Sequence, residues 1–433
     1  VTAGVLGAAF LDALQREAFA YFAHEANPLN GLVADKTQDG SPASIAAVGF
    51  ALSCYPIGVE RGFMRRADAV ERTLATLRFF HASDQSAAPG ATGYKGFYYH
   101  FLDMASGKRA WDCELSTIDT ALLLAGMLTS ARYFAGERAP EREIRELADS
   151  LFRRVDWNWA RDGGATVTHG WKPESGFLRW RWRGYSEAMI LQLLGLGSPA
   201  YPLPAESWVQ GAAAYSWREM YGQELLYAGP LFIHQFSHIW IDFRGVRDAY
   251  MRGKDSDYFE NSRRATHVQR NYAIANPQGF AGYGENCWGI TASDGPGPAT
   301  RAIAGTKRRF FGYRSRGVPD GPDDGSIAPS AVAASLPFAP EIAGPALRHF
   351  ETLELRENNA YGFKATFNPT FAGGAGPWIS PFHFGINQGP LVLMIENHRT
   401  GLIWNLMRDC PYIVTGLRRA GFSGGWLDDA RAD

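Results

Sequence analysis

Four absences narrow what this 433-residue chain can be. There is no excess of charge of either sign: Lys plus Arg number 43 against 44 Asp plus Glu. The chain therefore carries no net field to draw in nucleic acid or an anionic membrane surface, and a neutral ligand fits the balance. No apolar run approaches the ~20 residues of a bilayer-spanning helix, so neither a membrane role nor a nucleic-acid role has compositional support. Cysteine is scarce. Cys54, Cys113, Cys287 and Cys410 stand far apart with no CxxC pair and read as buried thiols, with a disulfide open to them only in an oxidising compartment. Support for nucleophilic and nucleotide chemistry is missing as well: no cysteine adjoins a histidine. The glycine-rich Ala372–Gly376 lacks the strand, lysine and helix of a phosphate loop and reads as a turn.

What is abundant is aromatic and helical. Aromatic residues make up 13% of the chain, with 13 Trp and 48 Gly, a composition that favours a large folded enzyme. Apolar residues recur at helical spacing over Phe10–His24, Ser41–Tyr55, Ala67–His81, Ser116–Phe134, Pro140–Val155, Ser186–Leu196, Glu206–Tyr221 and Ser256–Ala275. The same holds for Pro329–Leu336, Pro340–Phe350, Pro390–Arg399, Leu402–Arg408 and Pro411–Ala420, several of them set off by prolines. That gives about a dozen paired helices without βαβ alternation. An all-α ring of six helical hairpins, an (α/α)6 toroid, accounts for them, as one domain over residues 1–433. Its inner helices would point their N-termini at a central cleft. The alternating Thr166–Leu178 predicts a short β-hairpin among the cleft loops, and Gly93–His100 an irregular segment across a helix end. Val318–Ser326 is the best candidate for a mobile loop.

The densest cluster of functional groups is Leu231–Arg264. It interleaves two histidines, four aspartates, a glutamate, five arginines and a lysine with large aromatic rings. Rings left in water forfeit roughly 1.5–3 kcal/mol each, so this alternation predicts a concave surface. Polar groups beside aromatic planes suit a ligand with hydroxyl edges and C–H faces, which is a carbohydrate. On that reading His234, Gln235, His238, Trp240, Asp242 and Arg244, with Tyr283 and Trp288, contact hydroxyls or sugar faces. His234, His238 and Asp242 also fall at i, i+4 and i+8, the spacing of ligands on one helix face. The glutamate of a zinc protease motif is missing there and Arg244 opposes a cation, so hydrogen bonding or a buried His–Asp network is favoured over a metal. No metal and no cofactor are assigned.

Cleavage of a glycosidic bond calls for a proton donor and a second group that activates water or attacks carbon, normally two carboxyls. Glu187 follows Arg183 and Tyr185 in an aromatic loop and precedes a strongly apolar run, so it is placed in the first turn of a buried helix. It either serves the chemistry or merely complements the helix dipole. Asp119 reads both as the partner of a capping box beginning at Ser116 and as a cleft carboxylate. Glu114 lies just outside that helix, where capping does not explain it. Asp112 and Trp111 stand nearby, Trp111 as a stacking plane or as a core residue.

The strings ELSTIDTALLLAG (114–126), GWKPESGF (170–177), GYSEAMILQLLGLGSP (184–199), HQFSHIWIDFRGVRDAY (234–250), DYFENSRRAT (257–266), GITASDGP (289–296) and GINQGPLVLMIENHRTGLIW (385–404) together resemble the bacterial glycoamylase-like family. That family includes the endo-β-1,2-glucanases of glycoside hydrolase family 144. The resemblance spans nearly the whole chain. It implies the (α/α)6 fold, a periplasmic or secreted enzyme, and inverting, metal-free hydrolysis of β-1,2-linked glucan; a start at Val1 is compatible with a removed signal peptide. It further implies Glu187 as general acid, with Glu114 and Asp119 among the site carboxylates. At Asn387 the chain departs from the family string GIDQGP. An amide cannot accept a proton at neutral pH, so the base lies elsewhere, or turnover is impaired, or the residue was changed to trap a ligand. Asn at this point also makes a good helix N-cap. A glucan-binding protein without turnover, and an exo-acting or transglycosylating relative, remain as alternatives.

Overall fold

The computed structural model describes residues 6–371 and 376–430. Four residues of the glycine-rich turn, 372–375, lie outside them. The fold is mostly helical with small antiparallel sheets. The helices are α1 Ala8–His24, α2 Ile45–Glu60, α3 Arg66–Ala82, α4 Thr117–Tyr133, α5 Ala139–Arg153, α6 Met189–Gly197, α7 Glu206–Ala212 and α8 Phe236–Trp240. They continue with α9 Ala249–Gly253, α10 Tyr258–Ala275, α11 Pro329–Ala333, α12 Pro340–Thr352, α13 Gly385–Arg399, α14 Leu402–Arg408, α15 Pro411–Arg419 and α16 Trp426–Asp429.

Helix α2 packs on α4 and α13, α4 on α6, and α13 on α8 and α11. The α2–α4 contact is close because Gly49 and Gly126 meet backbone to backbone. A β-carbon on Gly126 would lie 2.1 Å from the Gly49 carbonyl oxygen. Helices α1, α3, α5, α12 and α15 cover these from outside, against α13, α2, α4, α11 and α6 respectively. One apolar core cluster runs through both layers, from Leu6 to Leu427. Its centre includes Trp240, stacked on Phe50 at 5.8 Å with its indole N–H on Ser53 Oγ.

Two of the helix boundaries that differ from the sequence expectation involve proline. Helix α2 runs through Pro56, and α13 starts five residues before Pro390. Pro56 cannot donate to the Leu52 carbonyl four residues earlier. The Ser130 hydroxyl of α4 donates to that carbonyl instead, at 2.8 Å. The stretch expected to be helical to Tyr221 is helix only to Ala212, then a hairpin of Trp217–Met220 and Gln223–Leu226. Gly93–Tyr94 and Phe97–Tyr99 are strands of a five-stranded sheet completed by Leu115–Ser116, Gly170–Lys172 and Gly176–Phe177. The last two strands form the expected hairpin. Val318–Ser326 is tied down rather than loose. Asp323 accepts hydrogen bonds from Tyr272 and Tyr283, and Asp324 pairs with Arg316. All four cysteines are buried free thiols.

Candidate active site

A cavity of about 590 Å³ opens where the N-terminal ends of six helices meet. Ser44 caps α2; Ser116 caps α4, with Ile118 and Asp119 in its first turn; Glu187 lies two residues before α6. Gln235 and Phe236 open α8, Ser330 and Ala331 belong to α11, and Phe384, Ile386 and Asn387 to the start of α13. Helix N-termini present unpaired N–H groups and a positive end, a setting that suits carboxylates and ligand oxygens. Helix α6 begins at Met189, so Glu187 sits on the preceding turn and not inside the helix.

The floor of the cleft is charged. His100 Nδ1 lies 2.9 Å from Glu114 Oε1, and its Nε2 lies 3.6 Å from Asp119 Oδ2. Burial opposes a charge on this imidazole, yet Asp119, Glu114 and Asp35 together raise its pKa to about 9. His100 is therefore a fixed cation at neutral pH. Burial works against the charge of Glu114 too, but the hydrogen bond and charge of His100 hold it below the usual carboxylate range. Asp119 lines the cavity and takes part in the α4 cap, although its carboxylate meets the Ser116 hydroxyl and not the cap N–H of a capping box. Its N–H donates to Ser116 Oγ at 3.2 Å, its carboxylate accepts from the same hydroxyl, and it lines the cavity. Glu187 differs from its neighbours. Burial, reinforced by the charge of Asp119, lifts its pKa to about 7. It is the cleft carboxyl suited to hold a proton near neutral pH.

Asn387 is not an N-cap; Phe384 occupies that position. The Asn387 side chain is buried, its Nδ2 donates to Ser330 Oγ at 3.0 Å, and its Oδ1 has no partner among the described residues. Trp111 forms the rim. It is 63% exposed and, with Asp112, stands in the left-handed region at φ 56° and 47°. Two consecutive non-glycine residues there are strained, of order 1–3 kcal/mol each. In this conformation the Trp111 indole stands in solvent at the mouth of the cavity. An aromatic ladder leads inward from it: Trp111 on Phe101 at 5.0 Å, and Phe101 stacked on His100 at 4.0 Å.

The structure thus brings Glu187, Asn387, Glu114, Asp119, Trp111 and Gln235 to one cavity. Gln235 spends its amide on Ala331 O and Ser335 Oγ. The rest of the aromatic and charged stretch is corrected. His234 and His238 are buried behind the cleft, bonded to Ala228 O and Ser262 Oγ, and burial lowers them to about 4 and about 3, so both are neutral. Helix α8 ends at Trp240, so Asp242 does not continue their face; it pairs with Arg244 and Arg408. Trp240 and Trp288 are fully buried core residues and cannot stack on a sugar. Tyr283 gives its hydroxyl to Asp323, and Tyr185 is buried against Tyr258. Arg183 and Asp112 are exposed, outside the cavity lining.

Asp35, Lys36, His100, His169, Trp182, Asp294 and Tyr313 line the cavity and were not singled out from the sequence. Asp294 lies inside the string GITASDGP, which was a usable signal. His100 ends the aromatic segment that was read only as irregular. Asp35 has no motif around it.

Comparison with known proteins follows the same lines. The Glycoamylase family model ("Putative glucoamylase") matches residues 179–411. The chain is 29% identical, over 94% of its length, to an exo β-1,2-glucooligosaccharide sophorohydrolase (non-reducing end) of Parabacteroides distasonis, and spans 57% of that protein's length. Among solved structures, a "putative glucoamylase" from Bacteroides uniformis superposes with a TM-score of 0.87 at 33% identity, covering 98% of this chain and 100% of that one. An endo-β-1,2-glucanase from Chitinophaga pinensis, solved with sophorotriose and glucose, superposes with a TM-score of 0.85 at 26% identity, covering 98% and 100%.

Proposed function

This chain belongs to the glycoamylase family, and from that premise we propose that it hydrolyses β-1,2-linked glucan with inversion at the anomeric carbon. The observation that carries the reading is Glu187, a cleft carboxyl whose pKa burial raises to about 7, in one cavity with Glu114, which the His100 hydrogen bond and charge hold below the usual carboxylate range. A protonated carboxyl facing ionised ones is the division of labour that glycoside hydrolysis requires. Glu187 donates its proton to the leaving oxygen. The substrate class is supported by the sophorohydrolase and endo-β-1,2-glucanase relatives.

The six helix N-termini around one cavity, with a covering outer layer, support an (α/α)6 toroid forming one domain. We place the enzyme in the periplasm or outside the cell, as the family reading implies. Trp111 is the stacking plane at the cleft mouth. Trp111→Ala is expected to raise KM about 5–30-fold, from ~1–2 kcal/mol of lost sugar contact, with kcat kept. Initial-rate measurements on linear β-1,2-glucan check this, and an unchanged KM would remove Trp111 from the sugar path.

A second reading, a glucan-binding protein without turnover, is favoured by the amide at residue 387. Incubation of linear β-1,2-glucan with the parent and with Asn387→Asp, following reducing ends and product size, separates the two. The hydrolase reading expects the parent to shorten the glucan. Release of reducing ends only after the substitution would establish the binding protein, and longer or cyclic products would establish transglycosylation.

A further inference from the structure

Inverting hydrolysis needs, opposite the acid, a carboxylate that takes a proton from the attacking water. Residue 387 cannot be that group, because an amide has no basic lone pair at neutral pH. Besides Glu187, the carboxylates lining the cavity are Asp35, Glu114, Asp119 and Asp294. Three are already engaged. Glu114 accepts from His100, Asp119 accepts from Ser116 and faces the charged His100, and Asp294 accepts from Ser380 Oγ at 2.7 Å. Each such bond occupies a lone pair that an attacking water would otherwise donate to.

Asp35 is different. Among the described residues its carboxylate makes no hydrogen bond and no ion pair, although its backbone is fixed. Its N–H donates to Pro42 O at 2.8 Å, and its carbonyl accepts from Gly385 N–H at 2.9 Å. Gly385 is the first residue of α13, so Asp35 lies beside the helical turn that carries Asn387. The next pair along, Lys36 and Phe384, continues the same bridge. Asn387 lines the cavity as a residue, and its Oδ1 is buried without a donor among the described residues. An unpaired buried acceptor costs about 1–3 kcal/mol unless a ligand completes it.

We propose that Asp35 is the catalytic base, the carboxylate that deprotonates the attacking water. The inference rests on the hydrolase reading above. In the step, the water oxygen bonds to the anomeric carbon as the glycosidic carbon–oxygen bond breaks. One water proton passes to the Asp35 carboxylate, and the proton of Glu187 passes to the departing oxygen. The surroundings of Asp35 suit the task. Burial raises its pKa to about 6, and Asp119 adds to this against the opposing charges of His100 and Lys36. Tyr21, from α1, and Tyr313 are near enough to feel its charge, the Tyr21 hydroxyl itself donating to Ala34 O. The base must be ionised to act, so activity falls as pH drops through about 6.

The test is chemical rescue. Asp35→Ala and the isosteric Asp35→Asn are assayed on linear β-1,2-glucan with and without sodium formate, beside the parent and Asn387→Asp, with melting curves for each. Expected is a loss in kcat of about 10²–10⁴-fold in both Asp35 variants, little change in KM, recovery of Asp35→Ala by formate, and an acid limb in the parent that Asp35→Asn lacks. Parent-like kcat in Asp35→Asn, or a loss in well-folded variants that formate does not restore, would overturn the assignment. A silent parent beside an active Asn387→Asp would overturn it too while leaving the substrate intact; no cleavage by either would sink the hydrolase reading and Asp35 with it.

Discussion

Glu187→Gln is expected to lower kcat on β-1,2-glucan by about 10²–10⁴-fold, the usual worth of a positioned general acid, with KM close to that of the parent. Glutamine keeps the shape and the polarity of the side chain and removes only the transferable proton. The sign of the pH dependence follows from the environment. Burial raises the Glu187 carboxyl to about 7, so it is protonated and competent below that pH and loses its proton above it. Activity in the parent therefore falls as pH rises through about 7, and together with the acid limb near 6 at Asp35 the profile is a narrow bell. In Glu187→Gln the residual activity should lack the alkaline limb. Parent-like turnover by this variant would remove Glu187 from the chemistry.

The largest expected effect on stability is at Arg316→Leu. Arg316 and Asp324 are both fully buried and form a two-point pair, Nε to Oδ1 at 2.7 Å and Nη2 to Oδ2 at 2.9 Å. The same guanidinium donates to the carbonyls of Ser293 at 2.7 Å, Asp294 at 3.2 Å and Gly312 at 3.1 Å. It thus ties together the segments that carry Asp294 and Tyr313 into the cavity. Removing one partner of a buried pair leaves an uncompensated charge, at a cost of about 3–5 kcal/mol. Denaturant titration should show that loss, accompanied by a fall in glucan turnover. The exposed Arg65–Asp68 pair, at 2.6 Å, is a useful contrast. Its removal is expected to leave stability nearly unchanged, because water solvates both groups. Equal effects at the two pairs would contradict this account of the buried one.

The legible parts of the chain were those where local pattern and tertiary role agree. Helix α4 was readable because its cap at Ser116 and its apolar residues lie within a few turns of each other. Glu187 was readable as a carboxyl poised at the entrance to an apolar run. Pro56 misled for a physical reason: the donor that makes it tolerable, Ser130, is 74 residues away in sequence, and its bond to Leu52 exists only once α2 meets α4. The stretch from Leu231 to Arg264 misled in the opposite sense. Polar groups among rings suggest a surface facing a ligand, but His234 bonds Ala228 O and Ser262 bridges the His234 carbonyl and His238 Nε2, all inside the core. Composition alone does not separate a sugar cleft from a buried polar network. Asp35 and His100 were missed because each is an isolated residue in its own segment. Only the fold sets them beside Asp119.

The most direct test of the account is the anomeric form of the first product. Proton NMR of linear β-1,2-glucan in the opening minutes of reaction, before mutarotation, reads the configuration of each new reducing end. An α-anomer that accumulates first and then relaxes toward the equilibrium mixture is the predicted result, with Glu187 as acid and water entering from the opposite face. A β-anomer appearing first would mean a covalent intermediate and retention, and would contradict the division of roles between Glu187 and Asp35.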